Sequence, residues 1–269
     1  MSDSRPLGVF DSGVGGLTVV RALNRLLPGE SIIYLGDTAR VPYGNKSPEA
    51  IRRYAREDAF FLTERGVKAV VIACNTASAH ALETVSGAMD VPVLGVIKPG
   101  VEAALERSES GRIGIMGTAG TIASGAYQDG IRARRPDAHI VARSTPLLVP
   151  LIEEGWLDHK ACKLVVQEYL CPFLEANTDT LVLACTHYPL IRPLLEEMAG
   201  SRMEMVDSAG TCAQEVRRVL GERGLLSDAA EGGHIQACLT DYSPHFQSLA
   251  ERFLDRPLME IERVNVDGG

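Results

Sequence analysis

Two α/β domains, each on a mostly parallel sheet and facing each other across a cleft, are the fold the sequence predicts, on two observations. Short apolar runs alternate with helix-period segments along the chain, the rhythm of βαβ units. Two stretches also repeat one pattern: Val-Ile-Ala-Cys-Asn-Thr-Ala-Ser from Val71 to Ser78, and Leu-Val-Leu-Ala-Cys-Thr-His-Tyr-Pro from Leu181 to Pro189. In each, an apolar run of buried-strand type ends in a cysteine, and small polar residues then open a helix. Cys74 and Cys185 stand 111 residues apart, about one domain length, so each half carries one.

The elements follow in order. Leu7 to Phe10 is a strand ending in Asp-Ser-Gly-Val-Gly-Gly at residues 11–16, after which Leu17, Val20, Leu23 and Leu27 share one helical face. The glycines make a tight strand-to-helix turn; the Gly-Lys-Ser/Thr of a phosphate loop and the Gly-x-Gly-x-x-Gly of a dinucleotide fold are both missing. Ile32 to Leu35 is the second strand, followed by the polar loop 36–44. Ser47 caps a helix with Pro48 at its first position and Ile51, Tyr54, Ala55, Ala59 and Leu62 on its apolar face. Strand 69–73 carries the first cysteine, a helix runs to about Gly87, and strand 93–96 closes the half.

From Gly100 the pattern restarts: a helix over 101–107, a strand over 112–116 leading into Gly-Thr-Ala-Gly-Thr and another helix, a strand over 139–142, and a polar turn holding Glu153 and Glu154. Asp158 is the expected cap of a long helix in which Pro172 should produce a kink or break. After the second cysteine strand a helix opens with Pro189, and 203–206 is one more strand. The tail gives a helix near 212–220, a strand over 235–239, a helix near 244–254 and a strand near 259–264, too little for a third domain. It is therefore assigned to the first half. The domains become 1–97 with 210–269, carrying Cys74, and 98–209, carrying Cys185.

A net charge of -8 offers no broad basic surface for phosphate backbones, which argues against nucleic acid as a partner. No apolar stretch reaches the roughly 20 residues of a membrane-spanning helix, and the N-terminus lacks a signal peptide's basic and hydrophobic regions, so the cytoplasm and no membrane partner are expected. Six irregularly placed cysteines are expected as thiols, and without a Cys-x-x-Cys spacing no metal site is expected.

A single cysteine of this kind is more often a buried structural residue; the repetition points to chemistry. Each thiol stands at the carboxyl end of a strand, the edge where open α/β sheets bind ligands, beside helix-start amides that favour a thiolate. With a reference pKa of about 8.5, one thiolate and one thiol can coexist across a small substrate. One removes a proton from a carbon while the other delivers a proton to the opposite face. Racemisation or epimerisation without a cofactor needs that symmetry. Asp11 is the candidate assistant beside Cys74, and His187 with Glu153 or Glu154 beside Cys185.

Asp-Ser-Gly-Val-Gly-Gly at 11–16, Asp-Thr-Ala-Arg-Val-Pro-Tyr-Gly at 37–44, Ala-Cys-Asn-Thr-Ala at 73–77 and Ala-Cys-Thr-His-Tyr-Pro-Leu at 184–190 resemble, in order and spacing, the motif series of the glutamate racemases. The resemblance implies two flavodoxin-like domains and an isomerase that interconverts L- and D-glutamate without a cofactor, supplying D-glutamate to peptidoglycan. It makes Cys74 and Cys185 the proton donors and acceptors, assisted by Asp11, His187 and Glu153. Asp11, Ser12, Pro42, Tyr43, Gly44, Asn75, Thr76, Thr186 and His187 become the substrate contacts. Hydroxyls, amides and helix-start N–H groups can bind two carboxylates without a fixed arginine charge. An aspartate or hydantoin racemase of the same superfamily is the neighbouring reading. The resemblance further implies a homodimer; DNA gyrase is a partner of some members, and no residue here argues for it.

Overall fold

The computed structural model describes residues 3–242, 244–258 and 260–266, without the side chains of residues 244 and 245. The first stretch alternates β1 (Leu7–Asp11), α1 (Leu17–Leu26), β2 (Ile32–Gly36), α2 (Pro48–Glu64), β3 (Ala69–Ile72), α3 (Asn75–Ser86) and β4 (Val93–Gly95). The second comprises α4 (Ile97–Arg107), β5 (Arg112–Gly117), α5 (Ala119–Ala123), α6 (Ala126–Arg132), β6 (His139–Ser144), α7 (Leu148–Glu153), α8 (Lys160–Glu175), β7 (Thr180–Ala184), α9 (Arg192–Ala199) and β8 (Glu204–Asp207). The tail adds α10 (Ser208–Glu222), β9 (Ile235–Leu239), α11 (Pro244–Leu254) and β10 (Ile261–Arg263).

The strands form two sheets, ordered β10-β9-β2-β1-β3-β4 and β6-β5-β7-β8. Every strand pairing is parallel, so the fold is the expected α/β class with two parallel sheets. The tail strands extend the first sheet through β9 beside β2. β3 and β7 are buried at every residue, which explains why they read as unbroken apolar runs rather than alternating ones. The chain reverses its direction of travel between β1 and β3 in one sheet and between β5 and β7 in the other, and the carboxyl ends at such switch points are where open α/β sheets bind ligands. Cys74 and Cys185 follow those ends.

One apolar cluster runs from Leu7 and Val9 through Leu17 and Val20 of α1 and Val216 and Leu220 of α10 to Leu181 and Leu183 of β7. Each such side chain contributes about 1.5–3 kcal/mol on full burial, so the seam between the sheets is held by core packing. The two strand ends are thereby fixed relative to each other.

Several boundaries differ from the sequence expectation. The helix expected from Val101 begins at Ile97, because Pro99 lies in its first turn, where no hydrogen bond is forfeited. The segment after β5 is two helices parted by Gly125 at φ +72°. Where the sequence predicts a polar turn holding Glu153 and Glu154, residues Leu148–Glu153 form a helix, with Leu148 and Ile152 buried one turn apart and Gly155 at φ +74° beyond it. His159, not Asp158, caps α8: its ring nitrogen accepts from the Ala161 N–H at 3.1 Å. α8 runs past Pro172 to Glu175, since a proline so near the end removes only one helical bond. Pro189 opens a 3₁₀ turn, Tyr188–Leu190, and the helix proper starts at Arg192. α10 begins at Ser208 rather than Cys212, capped by Asp207. Met259, the expected start of the last strand, lies outside the described residues. Among the described residues no helix is long and apolar enough to cross a membrane.

Candidate active site

β1 and β3 deliver Asp11, Ser12 and Cys74 to one place. Cys74 is the N-cap of α3, its sulfur accepting from the Ala77 N–H at 3.5 Å, and the thiol lies 3.7 Å from the Ser12 hydroxyl. Helix-start amides alone would favour the thiolate, but here burial wins. It pushes the Cys74 thiol up to about 12, helped by the charge of Asp11 and opposed by the Ala77 N–H. Asp11 is itself 1% exposed; burial raises its pKa, against the pull of His187 and of the Gly16, Gly13 and Ser12 amides. Its Oδ2 accepts from the Gly13 N–H at 3.1 Å, while Oδ1 has no hydrogen-bond partner among the described residues.

The Cys185 side is built differently. A 3₁₀ turn follows the cysteine instead of a helix, and it places His187 Nδ1 3.9 Å from the sulfur. His187 Nε2 lies 2.9 Å from Glu153 Oε1, and the ring meets Phe253 of α11 edge-on at 5.0 Å. Both glutamates are exposed, but the last turn of α7 aims Glu153 at His187, while Glu154 follows at the helix C-cap. Burial opposes a charge on His187, but the bonds to Cys185 and Glu153 outweigh it and lift the imidazole pKa to about 10. A folded-state pKa above the unfolded 6.5 stabilises the fold fully below about pH 6.5, and that stability is lost as pH rises through 10. In Glu153→Gln the His187 pKa is expected to fall, because a neutral amide no longer favours the cation. A ¹⁵N-detected imidazole titration reads this directly, and an unmoved midpoint would show that Glu153 does not hold the charge.

Both thiols line one cavity of about 290 Å³, just below the roughly 300–1,000 Å³ usual for small-molecule sites. Larger and more open hollows of about 420 and 620 Å³ contain neither cysteine. Ser12, Pro42, Tyr43, Gly44, Asn75 and Thr76 line the cavity from the first sheet's side, and Glu153, Thr186 and His187 from the other. Asp11 is buried without lining it. Among the described residues no lysine or arginine lines it; its polar groups are the two thiols, hydroxyls, amides, His187 and Glu153.

Two expected contacts have most or all of their polar atoms engaged elsewhere. The Tyr43 hydroxyl turns away from the cavity to Asp37 and Asp58. The Asn75 amide oxygen accepts from Tyr127 at 2.8 Å, and its nitrogen donates to Ser208 at 3.1 Å, leaving one N–H. Sequence reasoning missed Thr118 and Thr145, which also line the cavity. Thr118 had a readable signal: Gly-Thr-Ala-Gly-Thr follows β5, the strand beside the second cysteine strand, as Asp-Ser-Gly follows β1. Thr118, Thr121 and Thr76 form a hydroxyl triangle with sides of 2.9, 3.0 and 3.1 Å that joins the two sides.

Arranged so, the cavity offers a sulfur from each sheet, a cationic imidazole at one of them, and hydroxyl and amide donors for anionic groups. The family model described as Asp/Glu/Hydantoin racemase matches residues 7–216. The chain is 45% identical to a glutamate racemase of Chlorobaculum tepidum over 99% of its own length and 98% of the relative's. Among solved structures it is similar to a glutamate racemase isoform from Bacillus anthracis, with a TM-score of 0.93, 35% identity and 97% of each chain covered. It is also similar to the glutamate racemase from Francisella tularensis in complex with D-glutamate, with a TM-score of 0.92, 37% identity, and 98% of this chain and 99% of that one covered.

Proposed function

The chain belongs to the Asp/Glu/Hydantoin racemase family, and from that membership we propose that it is a glutamate racemase, interconverting L- and D-glutamate by two-base proton transfer and supplying D-glutamate to peptidoglycan. The observation that carries this reading is the pair of buried cysteines, each beyond a switch-point strand, on one small cavity. In one direction the Cys185 sulfur takes the α-proton, with protonated His187 as its counterion. The Cys74 thiol, kept protonated by burial, gives its proton to the opposite face. In the other direction the roles exchange, and Asp11, with one free carboxylate oxygen, is the assistant for Cys74.

Charge that builds on the α-carboxylate as the proton leaves needs donors that do not reorganise. Ser12, the remaining Asn75 N–H and Thr186 are those donors, joined by whichever of Thr76 and Thr118 turns its one proton from the hydroxyl triangle to the substrate, with Pro42, Tyr43 and Gly44 shaping the wall. We also propose, from the family resemblance and the chain's own βαβ pattern, that the enzyme works in the cytoplasm as a homodimer, with domains 1–97 plus 210–269 and 98–209.

The test is incubation of the pure protein with L-glutamate in heavy water, without added cofactor. Loss of optical rotation together with loss of the α-proton NMR signal is expected, and aspartate is expected to remain unchanged. Inert glutamate, or faster turnover of aspartate, would overturn the substrate assignment.

A further inference from the structure

Below the wall formed by residues 42–44 lies a buried polar cluster that the reaction itself does not use. Asp37, just beyond β2, and Asp58, midway along α2, are both fully buried. Arg40 donates from Nε to Asp37 at 2.6 Å and from Nη2 to Asp58 Oδ1 at 2.9 Å, and Nη1 pairs with Glu57. Its guanidinium covers the Tyr54 ring at 4.3 Å. Thr240, just beyond β9, donates to Asp37 Oδ1 at 3.0 Å. The Tyr43 hydroxyl rests on Asp37 Oδ2 and lies 3.0 Å from Asp58 Oδ2.

A phenol has one proton, and an ionised carboxylate only accepts. Tyr43 can therefore donate to one of these carboxylates. The contact with the other is a hydrogen bond only if that group supplies the proton. Asp37 collects three donors, from Arg40, Thr240 and Tyr43, which suits the ionised member. Asp58 has Arg40 on one oxygen and the Tyr43 oxygen on the other, which suits the acid. The charges agree: Arg40 faces Asp37, Asp58 and Glu57, and Arg53, exposed and 3.9 Å from Glu57, adds little. Neighbouring buried carboxylates do not all ionise. Burial, then the charge of Asp37, raises the Asp58 pKa well above the carboxylate range, against the pull of Arg40.

We propose that Asp58 is a neutral carboxylic acid at neutral pH, donating to the Tyr43 oxygen, and that with Asp37 it positions the turn over residues 43–45 as a wall of the active site. That turn also seats the other half of the molecule. A side chain on Gly44 would come within 3.2 Å of Thr118 Cβ, and one on Gly120 within 3.0 Å of the Gly44 carbonyl oxygen. Deprotonating Asp58 sets a second carboxylate against Asp37 and the phenol oxygen, so the wall loosens as pH rises.

Three variants separate this from an ordinary ion pair with Arg40. Asp58→Asn is isosteric with the neutral acid, its amide N–H donating to Tyr43 and its oxygen accepting from Arg40. It should keep the glutamate KM and the Tm of the wild type and abolish the alkaline rise in KM. Asp58→Ala and Asp37→Asn should each raise KM about tenfold, the size of one lost buried hydrogen bond, with kcat within about twofold. At pH 7 the infrared difference between wild type and Asp58→Asn should contain a protonated-carboxyl stretch. A carboxylate stretch in its place, an Asp58→Asn KM as high as that of Asp58→Ala, or failure of Asp58→Asn to fold would each overturn the proposal. The KM readings rest on glutamate being the substrate and the infrared reading does not, so an inactive wild type would count against the substrate alone.

Discussion

Serine at Cys74 or at Cys185 is expected to lower kcat for racemisation by about 10³-fold, within the range of about 10²–10⁴ that a positioned acid or base supplies, with KM nearly unchanged. A hydroxyl is a far weaker acid than a thiol with a reference pKa of about 8.5, and it cannot serve as the base at neutral pH. Each variant should fail in both directions, because inversion requires one group to take a proton and the other to give one. Their difference should appear in exchange with heavy water. In Cys74→Ser, Cys185 still faces one side of the α-carbon and can remove a proton and return a deuteron there. One enantiomer should therefore exchange without inversion, and in Cys185→Ser the other one should. Racemisation near the wild-type rate in either variant, or exchange of the same enantiomer by both, would refute the two-sided arrangement.

The two sides are not equivalent, and this asymmetry was hidden in the sequence. The strand-Ala-Cys pattern predicts two like thiols, and both do follow buried parallel strands. What comes after each cysteine decides its electrostatics. Cys74 caps a 12-residue helix yet is pushed up by burial, while Cys185 enters a 3₁₀ turn that turns His187 back onto it. Glu153 and Glu154 were both legible as candidates, but not which of them reaches His187, because that depends on α7 forming. Leu148 and Ile152 set that helix, and the prolines around them made it read as a turn. Asp58 gave no signal at all: within Arg-Glu-Asp it looks like a solvated helix residue, and only the packing of α2 on the loop after β2 buries it. Strand identity was legible because burial on both faces leaves an apolar run. Long-range proton sharing between loop and helix leaves none.

Gly15→Ala is the second substitution expected to have a large effect, although Gly15 holds no polar side chain and was read only as part of a turn. A Cβ there would lie 2.3 Å from Thr186 Oγ1 and 2.5 Å from His187 Nδ1, closer than such atoms can approach. The turn cannot easily retreat: the Gly15 carbonyl accepts from the Thr18 N–H at 3.0 Å and from its hydroxyl at 2.9 Å. The same hydroxyl lies 2.9 Å from the Thr186 carbonyl oxygen, and its one proton, shared between the two carbonyls, ties the two segments together. His187 cannot swing aside either, held by Glu153 at 2.9 Å and backed by Phe253. The added methyl must therefore push the Cys185–His187 segment out of place, and a shift of about 1 Å at reacting groups costs on the order of 10² in rate. A kcat lower by about that factor is expected, with about 1–3 kcal/mol of stability lost to overpacking. Gly13→Ala is the matched control from the same loop, since its Cβ would meet only Val41 Cγ2 at 3.4 Å. Steady-state kinetics and thermal melts of the two variants side by side decide the matter. Equal activity in both would mean that the close approach of the turn before α1 to Thr186 and His187 does not set the catalytic geometry.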